Sequence, residues 1–381
     1  MAQDSYFVSN FRMIVPKNKA MNKIVVLICL FVMALATGCT DAQVKEAIGD
    51  NTLPASTGDI DEVVLLIDDN LLKGEPGENL RFHLQQDFVM LPQSEPMFDL
   101  RPLGAMKTFS NMLQRSAVVL IVADLSNENS DITQEVKEQL GRFKSEGKDI
   151  PPFFARRDVW STPQRVVYLY GDNVADLNTK ITTNANGVIK QLYDIGDQKA
   201  YNNAYSTKVN EGLTATLESK YKASVQVPNK FEVAKETDDF VWLRFDNQAT
   251  EEVQNILLYI EPYGSNPPQK ITEALAMSIR DKMGKNVSTQ IAGSYMAADT
   301  TLGFVSKKTL LPSGLEVLEV RGLWRMYGDF MGGPFMTYCI NDNVNKRLIV
   351  ADAFVYAPKV DKRRIMRRVE MILRTTKLGG N

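Results

Sequence analysis

The chain has 381 residues, 44% hydrophobic and 24% charged, the balance of a folded globular protein and not of a disordered one. A formal net charge of −2 supplies no basic field, which excludes a nucleic-acid partner. One histidine and three cysteines exclude a His-rich metal cluster and a disulfide-built fold, and no motif calls for a cofactor.

The first organised stretch is Ile24 to Ala36, thirteen apolar residues in a row. That suits the h-region of an export signal and falls short of the ~20 residues that span a bilayer, so cleavage is expected. Lys17, Lys19 and Lys23 form the positive n-region, and the small residues Thr37 and Gly38 lead into Cys39. Ala36-Thr37-Gly38-Cys39 resembles the bacterial lipobox, although Ala36 stands where that pattern has Leu and Leu35 lies one place further back. The resemblance implies that residues 1–38 are a lipoprotein signal peptide and that Cys39 is acylated, anchoring the chain in the membrane. Residues 1–20 are either an over-extended start, with Met13 or Met21 the true one, or a long n-region. Cys29 then leaves with the signal and Cys39 carries lipid, so Cys339 has no partner within the chain.

Residues 39–58 are polar and small, the composition of a flexible tether. Two domains follow, 59–205 and 206–381. In the first, Val63–Ile67 is a continuous apolar run of strand length, and Leu80, Leu84 and Phe88 recur at helical spacing. Pro92 and Pro96 break the pattern. Strands are then expected at Phe98–Leu103, Ala117–Ala123 and Arg165–Tyr170, with helices around Phe109–Leu113 and over Ile132–Phe143. This alternation predicts an α/β layer arrangement. A long helix from Val174 is expected to be interrupted or weakened by Gly187 and Gly196.

Past Tyr205 the pattern changes. A helix through Leu213 and Leu217 precedes four strand-like pieces, Ser224–Val227, Phe231–Val233, Phe240–Phe245 and Ile256–Ile260, which read as a meander. A helix over Ile271–Met283 leads to strands at Leu315–Val320, Phe335–Ile340 and Leu348–Tyr356, with Asn341-Asp342-Asn343 as the last hairpin loop. A basic helix through Ile365, Val369 and Ile372 closes the chain. The whole is α+β, an α/β domain followed by an antiparallel-sheet α+β domain, and the second layout is similar to the Mog1/PsbP-like fold.

Three motifs carry a family resemblance: Gly77-Glu78-Asn79-Leu80-Arg81, the run Leu91-Pro92-Gln93-Ser94-Glu95-Pro96-Met97-Phe98, and Gly322-Leu323-Trp324 with Met331-Gly332-Gly333-Pro334-Phe335. Together they resemble a family of Bacteroidota envelope lipoproteins known as a domain of unknown function (DUF4837). The resemblance implies a lipidated periplasmic or surface protein, expected at the outer membrane, and implies no reaction. Asp299-Thr300-Thr301 resembles the short O-glycosylation motif of exported proteins of that phylum.

Candidate chemistry is sparse. His83 and Cys339 are the sole possible Cys–His pair, and a Cys between Tyr338 and Ile340 in a strand is more simply a buried hydrophobe. Asp68 and Asp69 follow the first strand at its carboxyl end, where open α/β sheets place ligands, with Glu95 as a further acid. They support an envelope-polymer hydrolase as the alternative reading; the plainer one is that they cap helices. Gly74 and Gly77 before a helix match a phosphate loop poorly. Lys362, Arg363, Arg364, Arg367, Arg368, Arg374 and Lys377 make the last helix basic, either as a solvated face or as a contact for anionic headgroups.

The best candidate surface is the aromatic and methionine-rich stretch of Trp324, Tyr327, Phe330, Met331, Gly332, Gly333 and Phe335, read as bracketing a Gly332-Gly333-Pro334 turn. Exposed, it binds a peptide, glycan or envelope protein; buried, it is a hairpin folded onto the core. The expectation is a lipid-anchored envelope protein that binds or scaffolds without catalysis.

Overall fold

A computed structural model describes residues 53–379. Residues 1–52, with the expected signal peptide, Cys39 and most of the tether, lie outside the described residues. From Pro54 onward the chain forms one compact unit containing two large sheets.

In the first sheet, β1 (Glu62–Ile67) is followed by helices α1 (Asp69–Lys73) and α2 (Glu75–Leu84), then β2 (Asp99–Leu103) and the short α3 (Asn111–Gln114). Next come β3 (Val118–Asp124), α4 (Asp131–Ser145), β4 (Phe153–Arg157), β5 (Arg165–Gly171) and α5 (Val174–Ala204). The strand order is β2-β1-β3-β5-β4, parallel except for the edge strand β4. The central strands are buried on both sides, which is why they read as unbroken apolar runs. Leu80 and Leu84 of α2 and Leu177, Ile181 and Leu192 of α5 cover one face; Ile132, Val136 and Leu140 of α4 cover the other.

Helix α5 is not interrupted. Its glycines serve clearance: a Cβ on Gly187 would stand 2.8 Å from the Phe153 ring, and one on Gly196 would meet the Ile60 carbonyl at 2.4 Å. Strand β4 is absent from the sequence reading because its arginines break the apolar pattern of a half-covered edge.

The second half adds α6 (Glu211–Tyr221), β6 (Ala223–Ser224), β7 (Glu232–Glu236), β8 (Phe240–Asn247), β9 (Glu252–Pro262) and α7 (Glu273–Gly284). Strands β10 (Tyr295–Asp299), β11 (Val305–Leu310), β12 (Glu316–Tyr327), β13 (Gly332–Asp342) and β14 (Arg347–Tyr356) precede α8 (Arg363–Leu373) and β15 (Lys377–Leu378). The eight-stranded sheet runs β10-β12-β13-β14-β9-β8-β7, antiparallel throughout, with β11 also on β12; β6 pairs with β15 separately. Leu217 and Tyr221 of α6 and Ile365, Val369 and Ile372 of α8 cover one face, while Ala276, Ile279 and Met283 of α7 cover part of the other. This is the α+β architecture expected.

Two local readings change. Gly332-Gly333-Pro334 is not a turn but the start of β13, with Pro334 opposite Leu323 and Gly333 opposite Trp324. The chain reverses earlier, at Gly328, whose φ of +79° glycine adopts without steric cost. Asn341 and Asp342 lie in β13, so the final hairpin loop is residues 343–346.

Candidate functional site

Helix α7 covers the second sheet incompletely. At the end where β12 turns into β13 it leaves a groove of about 380 Å³ between the sheet and the Val287–Ile291 loop. Side chains that alternate onto this face supply its walls: Trp242 from β8, Trp324 and Met326 from β12, Phe354 and Tyr356 from β14. Two anchored indoles hold the floor. Trp242 Nε1 donates to Asn255 Oδ1 at 2.8 Å, and Trp324 Nε1 to the Val355 carbonyl at 3.2 Å, with the Trp324 and Phe354 rings edge to face at 5.0 Å. Arg244, Ser288, Gln290 and Asp329 give the rim polar character.

The predicted surface residues divide. Trp324, Gly333 and Phe335 are buried, and a Cβ on Gly333 would meet the Val355 carbonyl at 2.2 Å, so these three build the core beneath the groove and present no surface. Met331 is half-buried in the groove wall, and its carbonyl accepts from Met326 N at 2.8 Å, closing the turn. Gly332 is exposed, Phe330 is wholly in solvent, and Tyr327 is exposed while stacked on Tyr295 at 4.9 Å. Trp242, Tyr356 and the 287–291 loop were missed because they are far from 324–335 in sequence; only the placement of β8 and β14 beside β12 and β13 brings them in.

The carboxylates proposed for hydrolysis do not meet. Asp68 and Asp69 follow the carboxyl end of β1, whereas Glu95 precedes β2, whose first residue Asp99 pairs with Glu62 at the amino end. The two ends of such a strand are roughly 20 Å apart, well beyond the ~6.5–9.5 Å of an inverting pair. Asp68 instead accepts from Ser130 Oγ at 2.9 Å and Asn127 Nδ2 at 3.2 Å. Cys339 is wholly buried on the α7 face, and burial pushes its thiol up to about 12, which leaves it unreactive; His83 stacks edge-on against Phe82. Among the described residues no group of His, Cys, Asp and Glu is placed to hold a metal. Asp299 accepts from the Thr301 amide at 2.9 Å in an exposed turn.

The basic face of α8 is neither solvated nor free for headgroups. Arg363 and Arg364 bind Asp61 and Asp99 of the first half, with Arg364 Nε to Asp61 at 2.8 Å and Arg363 Nη2 to Asp99 at 2.7 Å. Glu95 accepts from the Lys362 and Arg363 amides, both at 2.8 Å, so a residue from the first half caps the helix. Arg367 passes over Gly196 to reach the Ile60 carbonyl at 3.0 Å and Asp197 at 2.7 Å; Arg374 takes the other Asp197 oxygen, also at 2.7 Å.

Along this seam Arg321 Nε meets Glu319 at 2.7 Å and Arg321 Nη2 meets Glu370 at 2.9 Å. Burial alone would lower the Arg321 pKa, but Glu370 and Glu319 raise it instead. Burial alone would raise the Glu370 carboxyl, yet Arg321, with Arg374 and Arg367 behind it, holds it below its ordinary 4.5. The seam encloses a cavity of about 340 Å³.

The fold thus defines a two-layer class, an α/β half sealed by an arginine-bearing helix to a helix-covered antiparallel sheet. Family models match both halves: residues 56–219 match Domain of unknown function (DUF8532) and residues 210–375 match Domain of unknown function (DUF4837). No curated protein matches the chain. Among solved structures it is similar to a Mog1 point mutant (11% identity, 42% of this chain and 92% of that one, TM-score 0.27) and to the Saccharomyces cerevisiae Ran-binding protein Mog1p (11%, 41% and 90%, 0.27). It is also similar to LpqN, involved in cell envelope biogenesis of Mycobacterium tuberculosis (12%, 42% and 83%, 0.24).

Proposed function

We propose that this chain is a cell-envelope lipoprotein, tethered through Cys39 at the outer membrane, whose folded part acts by binding and not by catalysis. The observation that carries the binding role is the groove walled by Trp242, Met331 and Tyr356 over the buried Trp324, with Phe330 in solvent beside it. Half-exposed rings offer flat apolar faces and the polar rim offers hydrogen bonds, a combination suited to an envelope glycan or a short peptide. The sequence Ile24–Cys39 supports the anchor. Among the described residues no helix is long and apolar enough to cross a membrane.

Two of the chain's three tryptophans line the groove, so intrinsic fluorescence reports on it. Titration with peptidoglycan fragments and outer-membrane glycans is expected to give one saturable change that Trp242→Ala abolishes. No saturable ligand, or a response indifferent to Trp242→Ala, removes the binding role. Labelled fatty acid is expected to be incorporated into the native chain and not into Cys39→Ser; equal incorporation removes the anchor.

A further inference from the structure

The seam cavity lies on the opposite face of the large sheet from the groove, and its walls differ in kind. Phe88, Val89, Met97, Tyr193 and Val305 give it apolar sides, with Val89 and Val305 exposed at the mouth. Its floor is ionic, with four cationic and three anionic side chains. The three carboxylates are all engaged: Glu319 and Glu370 by Arg321, Asp197 by Arg367 and Arg374. Arg321 and Arg367 are fully committed to these carboxylates, whereas Lys307 and Arg374 keep donors to spare. Lys307, 62% exposed, stands 3.6 Å from Glu319, beyond hydrogen-bond distance, and the Arg374 guanidinium uses one amino group on Asp197 with no further partner among the described residues.

Below the floor one buried group is left unpaired. The Tyr338 hydroxyl is buried without a hydrogen-bond partner among the described residues, although buried hydroxyls almost always have one. Tyr338 faces Glu319 across the β12–β13 pair beneath the ionic floor and is not among the residues that line the cavity, so the ligand argument rests on the floor's own charges.

We infer that the seam cavity is a binding site for a small apolar monocarboxylate, its apolar body held between Phe88, Met97 and Tyr193 and its carboxylate taken by Lys307 and Arg374. One anionic group neutralises the single excess positive charge of the lining, and the cavity volume falls at the lower end of small-molecule sites. A dianion would face three fixed carboxylates, and a neutral molecule would leave the free donors unanswered.

The test is calorimetric titration of the purified full-length chain with 4-phenylbutyrate, using 4-phenylbutanol and acetate as probes lacking the charge or the apolar body. One-to-one binding of 4-phenylbutyrate is expected, with the other two at least about tenfold weaker. Lys307→Glu, at an exposed position the fold does not need, is expected to weaken binding about tenfold or more, and Val89→Asp at the mouth to act similarly. Met331→Glu, in the other groove, is expected to leave the affinity unchanged. The inference is overturned if 4-phenylbutyrate shows no saturable binding up to millimolar concentration, if Lys307→Glu binds as well as the native chain, or if Met331→Glu abolishes binding.

Discussion

Each face of the eight-stranded sheet buries an arginine, and the two solve the problem of a buried charge differently. Under α7, Arg280 has 0% side-chain exposure and meets Asp352, also at 0%, with Nε to Oδ2 at 2.8 Å. Thr337 Oγ1 donates to the same carboxylate, and the guanidinium carbon lies 3.5 Å from the Phe335 ring centroid. That arrangement is local, with Arg280 Nη1 left over the Phe335 ring without a hydrogen-bond partner among the described residues. Under α8, Arg321 is shared between two glutamates beside a cavity, and the arginines further along α8 reach carboxylates of the other half. The first arginine fixes how one helix lies on one sheet; the second group joins two sheets that have no strand in common.

The sharpest way to break this contrast is Asp352→Ala, which leaves Arg280 buried and uncompensated. Denaturant unfolding is expected to show a loss of about 3–5 kcal/mol, and the paired replacement Arg280→Met with Asp352→Leu to recover most of it. Trp324→Ala removes the largest side chain of the same layer and is expected to cost about 3–5 kcal/mol.

At the seam the effects are smaller and depend on solution conditions. Glu95→Ala removes the cap of α8 and is expected to cost about 1–2 kcal/mol, measured as a shift of the urea midpoint. Glu370 titrates lower in the folded chain than in the unfolded one, so the unfolded state binds the extra proton as pH falls. Its contribution is fully present above the ordinary value of 4.5 and is lost progressively below it. Stability measured from pH 6 to 3 is expected to fall less steeply for Glu370→Gln than for the native chain. The smallest effect is expected at Phe330→Ala, within about 0.5 kcal/mol of native stability because the ring touches only solvent, while ligand binding in the neighbouring groove weakens.

How much of this was legible depended on the range of the signal. The runs at 63–67, 117–123 and 165–170 announced β1, β3 and β5, since strands buried on both sides need no register to be recognised. Strand β11 escaped because a mostly exposed edge, Val305 to Leu310, shows no apolar alternation, and β10 because its alternating buried positions, Met296 and Ala298, include only one large apolar side chain. Gly332-Gly333-Pro334 has turn chemistry, yet pairing with β12 overrode it; glycine was needed there for lack of space and not for its φ. Of the aromatic patch, sequence located the right hairpin and could not say that Trp324 points inward while Phe330 points out. The partners of α8 were hidden altogether. Arg363 and Asp99 lie 264 positions apart, and no local pattern distinguishes an arginine facing water from one facing a distant aspartate.

The cap on α8 carries a consequence for the order in which the molecule is made. Glu95 emerges early from the ribosome, and the amides that it receives are 267 and 268 residues downstream. Until α8 is made, Asp61, Asp99 and Asp197 lack the arginines that pair with them in the folded chain. Sealing of the two halves therefore waits for a helix made after both sheets, and a product that stops short of Arg363 lacks the element that clasps them together.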